Sequence, residues 1–212
     1  MPSKGQDSTA YSPPFQALVF DLGNVIVGHE NRVMLRAIAA RCRQPCSPRQ
    51  VGELMRARDW QTGAAIADLH DEVRESLGYD AGWEAFVADW CCHFTVDPSM
   101  LALVEALQTN NRVMLFSNTN REHWEFLDAE TGGRLSALAA YLSHEIRMAK
   151  PDPGAFAHVA ERAGVDPARC IFFDDVADNV DGARRAGFQA EVFTGEAELR
   201  RLLMERGVRL GR

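Results

Sequence analysis

The chain has no apolar run near the roughly 20 residues that cross a bilayer, and Met1 to Pro14 are polar, without the apolar core of a signal peptide. No membrane partner is expected, and the reading is a cytoplasmic protein with a loose N-terminal extension over residues 1–14. Basic runs are also missing: 23 lysines and arginines against 30 acidic residues give a formal charge of −7. That leaves no track for a phosphate backbone, so nucleic acid is not an expected partner, whereas a small anion needs only a few local cations. The five cysteines, Cys42, Cys46, Cys91, Cys92 and Cys170, form no CxxC and have no histidine at zinc-ligand spacing. They read as structural thiols, with Cys170 in an apolar strand and Cys91 and Cys92 on different faces of one helix. Repeats and low-complexity tracts are absent beyond the extension. What is present, 46% hydrophobic and 25% charged residues, suffices for one good core, or for a core domain carrying a smaller one, as monomer or homodimer.

Five short apolar runs read as strands: Phe15 to Asp21, Arg112 to Phe116, Leu138 to Leu142, Cys170 to Phe173, and Gln189 to Phe193. Helical patterns alternate with them at Ser99 to Gln108, Pro153 to Ala163, Asn179 to Ala186 and Glu196 to Glu205, the last three closed by Gly164, Gly187 and Gly207. Strands alternating with helices of about ten residues predict an α/β fold with a doubly wound parallel sheet. From Gly28 to Val96 the alternation stops. No strand is expected there, only amphipathic helices at Arg32 to Arg43, Pro48 to Arg58, Ala64 to Leu77 and Trp83 to Phe94. The expected division is an α/β core over residues 15–27 and 97–212, with a helical cap over 28–96 placed like a lid above the carboxyl edge of the sheet.

The first strand runs into Asp21, which a glycine turn follows. Strand-Asp-Gly is common at ordinary turns, but the carboxyl ends of parallel strands also face the ligand crevice. Two further strands end at Ser117-Asn118 and at Asp174-Asp175, a coincidence that turns alone explain poorly. Neighbouring strands lie ~5 Å apart, so Asp21 and the acidic pair would share one site if their strands adjoin. Clustered carboxylates repel unless a cation is present, and Mg²⁺, a hard oxygen-seeking ion, fits. Lys150, alone an ordinary loop charge, would with Ser117, Asn118 and backbone amides complete a site suited to a phosphoryl group.

The segments Phe20-Asp21-Leu22-Gly23-Asn24-Val25, Phe116-Ser117-Asn118-Thr119-Asn120, Lys150-Pro151-Asp152-Pro153 and Phe172 to Ala183 resemble, in order and spacing, the four motifs of the haloacid dehalogenase superfamily. Their wording is closest to bacterial phosphatases of the α-D-glucose-1-phosphate type, and the helical segment is similar to the four-helix cap of that group in placement. The resemblance implies a Mg²⁺-dependent phosphomonoester hydrolase in which Asp21 attacks phosphorus to form an aspartyl phosphate. It further implies that Ser117 and Asn118 bind phosphoryl oxygens, that Lys150 neutralises charge, and that the metal is held by Asp21, the Gly23 carbonyl, Asp175 and, directly or through water, Asp174. Asp178 and Asn179 are read as caps of the following helix.

Most phosphatases of this superfamily carry a second aspartate, the proton donor, two residues after the nucleophile. Gly23 stands there and cannot transfer a proton. His29 and Glu30 are the nearby substitutes, an exposed hinge being their plainer reading. Two rivals follow: a metal-independent 2-haloacid dehalogenase, which the Asp174-Asp175 pair argues against, and a non-catalytic sugar-phosphate binder. Trp60, Trp83, Trp90 and Phe94 fit a cap core better than sugar stacking. Arg32, and Trp60 or Gln61 in the following loops, are the expected substrate contacts, with His123 and Trp124 near the entrance.

Overall fold

The computed structural model describes residues 11–43, 45–56 and 59–211. Of the expected loose extension, residues 1–10 lie outside these. Tyr11 is fixed: its hydroxyl donates to Asn111 Oδ1 at 3.0 Å and accepts from the Arg209 amide at 3.1 Å.

In chain order the elements are β1 (Ala17–Phe20), β2 (Val27–His29), α1 (Asn31–Ala40), α2 (Pro48–Met55), α3 (Ile66–Leu77), α4 (Trp83–Cys91) and β3 (Phe94–Val96). There follow α5 (Pro98–Gln108), β4 (Val113–Ser117), α6 (Arg121–Glu130), β5 (Ala139–Leu142), the short α7 (Ser143–Ile146), α8 (Pro153–Ala163), β6 (Cys170–Asp174), α9 (Ala177–Arg185), β7 (Gln189–Val192) and α10 (Glu196–Glu205). Five strands form one parallel sheet in the order β5-β4-β1-β6-β7, the doubly wound α/β fold that the sequence predicts. β1 lies at its centre, with Phe20 paired to Leu115 on one side and to Phe173 on the other. The central strands are buried along their whole length, as sheets covered on both faces require. Leu18, Phe20, Leu115 and Phe173 serve the core on one face, and Val19, Phe116, Phe156 and Phe172 the core on the other.

Local chemistry sets the helix starts. Asp97 accepts from the Ser99 and Met100 amides ahead of α5, and Asp152 accepts from Gly154 ahead of α8, each before a proline at the first helical position. Ser47 and Gln50 form a reciprocal capping box on α2. Helices α1 to α4 pack around a separate apolar cluster that includes Met34, Ile38, Leu69, Phe86 and Trp90.

Two expectations are corrected. Residues 28–96 are not free of strand: β2 and β3 pair antiparallel, with His29 opposite Phe94, and tie the two ends of the helical layer together. The second helix ends at Met55, short of the expected Arg58, which lies outside the described residues.

Candidate active site

Because β4 and β6 flank β1, their carboxyl ends deliver Ser117 and Asp174 to either side of Asp21. The chain runs outward from β1 through β4 to β5 and then returns to β6 on the other side. The site therefore sits where the strand order reverses, the crevice position of open α/β sheets.

Lys150 is the electrostatic centre. It is 4% exposed, and its ammonium lies 2.7 Å from Asp21 Oδ1 and 2.6 Å from Asp174 Oδ2. It also sits 5.6 Å and 5.3 Å from the ring centres of Phe116 and Phe172, a cation–π setting on its apolar side. Asn118 holds it there: the Asn118 amide donates to the Lys150 carbonyl at 2.8 Å and accepts from the Lys150 N–H at 2.9 Å. The Asn118 side chain is thus engaged with the main chain of Lys150, while Asn118 also lines the cavity beside Ser117. A Cβ at Gly182 would collide with the Pro151 carbonyl, so α9 needs glycine where it meets the loop that carries Lys150.

The two acids after β6 differ. Asp174 is fully buried, with Oδ1 accepting from the Val176 amide and Asn179 Nδ2, and Oδ2 from Lys150 and the same Asn179 group. Asp175 is half-buried and lines the cavity, with Oδ2 accepting from Asn24 at 2.9 Å. Asn179 lies inside the first turn of α9, whose cap position is Val176. The expected capping role of Asp178 and Asn179 is therefore wrong, and Asn179 is spent on Asp174.

Asp21 is 7% exposed and its Oδ1 also accepts from the Leu22 amide at 2.7 Å. Burial pushes its pKa from 3.8 up to about 6; Lys150 pulls it down, but Asp174 adds repulsion in the same direction as burial. Asp21, Asp174 and Asp175 each offer an oxygen within 4.8 Å of the others. With only Lys150 opposing three carboxylates, the cluster keeps a formal excess of negative charge. All its donors are hard oxygens, so the set suits a divalent cation of the Mg²⁺ kind.

Above these residues lies a cavity of 370 Å³ that Asp21, Gly23, Ser117, Asn118, Lys150 and Asp175 help to line. Lys150 is the only lysine or arginine on its wall among the described residues. Gln61 and His123 line it as expected. Arg32 and Trp60 do not: Arg32 faces a separate groove with Arg36, Arg49 and Arg56, and Trp60 is buried, its Nε1 donating to the Met55 carbonyl at 2.5 Å. Trp124 packs against the sheet core. Sequence reading missed His93, just ahead of β3, and Ser143, whose hydroxyl donates to the Gln61 carbonyl at 2.6 Å and accepts from the Thr119 amide at 2.9 Å, while Phe94, read as cap core, packs against the cap cluster and also lines the cavity.

Residues 15–187 match the haloacid dehalogenase-like hydrolases, and the chain belongs to that family. It is 54% identical over 48 residues to Phosphatase MT3486 of Mycobacterium tuberculosis, a match covering 23% of this chain and 22% of that protein. Among solved structures, a haloacid dehalogenase family enzyme of Bacteroides thetaiotaomicron in complex with magnesium and inorganic phosphate superposes with a TM-score of 0.75 at 25% identity, over 86% of this chain and 96% of that one. A 2-haloacid dehalogenase of Pseudomonas syringae shares the fold at a TM-score of 0.63 and 19% identity, over 90% and 99% of the two chains.

Proposed function

We propose that this hydrolase is a Mg²⁺-dependent phosphomonoesterase acting on a small sugar phosphate of the glucose 1-phosphate kind. The observation that carries the reading is the buried Asp21–Lys150–Asp174 triad with Asp175 beside it, a nucleophile and a cation set into an acidic oxygen cluster. A dehalogenase attacking carbon has no need of that cluster. The Bacteroides relative with magnesium and phosphate supports the same choice.

Asp21 attacks phosphorus in line with the leaving oxygen and becomes an aspartyl phosphate, which water then hydrolyses. Lys150 neutralises Asp21 and the incoming phosphoryl group, and the Ser117 hydroxyl donates to a phosphoryl oxygen. Asp21, the Gly23 carbonyl and Asp175 would hold Mg²⁺, because both oxygens of Asp174 are already engaged; Asp174 serves by fixing Lys150. The ion, when bound, supplies positive charge that offsets the carboxylates and the phosphoryl oxygens.

Residues 28–96 are proposed as the cap that closes over the leaving group. The 370 Å³ cavity lies at the small end of the ~300–1,000 Å³ typical of ligand sites, which favours a metabolite over a macromolecule. Asn31, Gln61 and Thr119 on its wall, where Lys150 is the only lysine or arginine among the described residues, favour a hydroxyl-rich leaving group over one bearing another anion. The test is a phosphomonoester panel with purified protein, with Mg²⁺ and with chelator. Mg²⁺-dependent phosphate release, strongest on monosaccharide phosphates, supports the reading. Tight calorimetric binding of those esters without turnover would replace it with the binding-protein alternative.

A further inference from the structure

Gly23 has a backbone that any residue could adopt, since its φ lies outside the left-handed region that favours glycine. His29 crowds that position: a Cβ built on Gly23 would stand 3.3 Å from both Cδ2 and Nε2 of the His29 ring, which would have to give by a few tenths of an ångström. The imidazole thus stands against the position from which a side chain at residue 23 would extend, on the wall of the cavity that Asp21 also lines.

Its position is built in. The tight turn after β1 brings the Asn24 amide to the Val27 carbonyl at 2.7 Å. Asn24, at φ 51, donates its side-chain amide to Asp175 and accepts the His29 N–H at 3.3 Å. The ring meets His93 and Phe94 edge-on, at centroid distances of 6.2 and 6.4 Å. The other two imidazoles on this wall are unsuited to proton transfer. His123 has Nε2 at 3.2 Å from the Trp90 carbonyl and Nδ1 at 3.2 Å from Asn120 Nδ2, so both nitrogens are engaged, and burial pushes its pKa down to about 3. His93 is 6% exposed, and burial, with His29 as a second cause, pushes it down to about 4. Glu30 does not line the cavity.

We propose that His29 is the proton donor to the leaving oxygen, the part that Gly23 leaves vacant. This rests on the phosphomonoesterase reading. As Asp21 forms its bond to phosphorus, the bond to the ester oxygen breaks with its electron pair on oxygen, and the Nε2 proton of protonated His29 moves to that oxygen, releasing the alcohol. In the second half water attacks phosphorus, its proton passes to the neutral imidazole, and the bond from phosphorus to Asp21 breaks. Phosphate leaves, and Asp21 and protonated His29 are restored.

The test compares kcat/KM for an alkyl phosphate, whose leaving group needs a proton, with that for p-nitrophenyl phosphate, whose leaving group needs little help. His29→Ala is expected to lower the alkyl value ~100-fold or more, and at least ten times further than the aryl value. Adding Gly23→Asp to His29→Ala fills the vacated space with a carboxylic acid and is expected to recover most of the alkyl-to-aryl ratio. Equal losses on both esters, or an alkyl deficit that Gly23→Asp leaves unrepaired, would overturn the assignment while leaving the phosphomonoesterase reading intact. A wild-type protein inactive on both esters would sink the reading and the assignment together.

Discussion

The nucleophile is predicted to cost the metal-free protein stability, so Asp21→Asn is expected to be inactive yet more stable. The carboxylate of Asp21 is raised from 3.8 to about 6, mainly because burial disfavours its charged form more than Lys150 at 2.7 Å favours it. Two pKa units at ~1.4 kcal/mol each correspond to about 3 kcal/mol. The sign follows from a folded-state value above the unfolded one: the protonated form favours folding, this contribution is complete below pH 3.8, and it is lost as pH rises through about 6. Asparagine keeps the shape and has no charge to bury. In thermal unfolding at pH 8 with chelator the variant should melt about 6–12 °C above the parent, at ~2–4 °C per kcal/mol for a chain of this size. The gap should narrow toward pH 4 and shrink when Mg²⁺ is added to the parent protein. A variant that melts at or below the parent in chelator at pH 8 would refute the account of Asp21 as a destabilised, desolvated charge.

Other outcomes follow from the same geometry. Lys150→Met strands the Asp21 and Asp174 carboxylates in the interior and should cost about 3–5 kcal/mol in urea unfolding as well as all activity. Because a divalent ion must displace a proton from Asp21 below about pH 6, the rise in melting temperature on adding Mg²⁺ should be larger at pH 7.5 than at pH 5; an equal rise would place the ion elsewhere. Ser143→Ala leaves the buried Thr119 amide without its acceptor and frees the Gln61 loop. It should cost about 1–3 kcal/mol by chemical denaturation and raise KM for sugar phosphates more than it lowers kcat.

The parallel sheet was legible because its strands are short buried runs that end abruptly in polar residues, and helices begin and end on Asp-Pro and glycine signals. The meeting of Asp21, Ser117 and the acidic pair was legible because neighbouring parallel strands end side by side, whereas Lys150, in the loop ahead of α8, was placed there by the resemblance of its segment. The ribbon was not: Val27-Gly28-His29 is three residues with glycine at its centre, too short to show alternation. With the ribbon went His93, which has no site pattern of its own in sequence. Asn179 was misread because an Asx residue near a helix start has the same local signature whether it caps the helix or reaches back to a buried carboxylate. Arg32 was misjudged because charge in a helical segment says nothing of which face meets the cavity. Sequence named His29 as a substitute near Gly23, but the close approach of its ring to that residue, six positions back across a tight turn, is seen only in the folded chain.

The central claim is that phosphorus is transferred to Asp21. Rapid-quench mass spectrometry of the protein mixed with Mg²⁺ and its best phosphomonoester tests it most directly. A phosphoryl group on the Asp21-containing peptide, formed and lost at rates that account for turnover and absent in Asp21→Asn or in chelator, is the predicted result. Phosphate release in the first turnover with no adduct on that peptide, or turnover that survives Asp21→Asn, would contradict it.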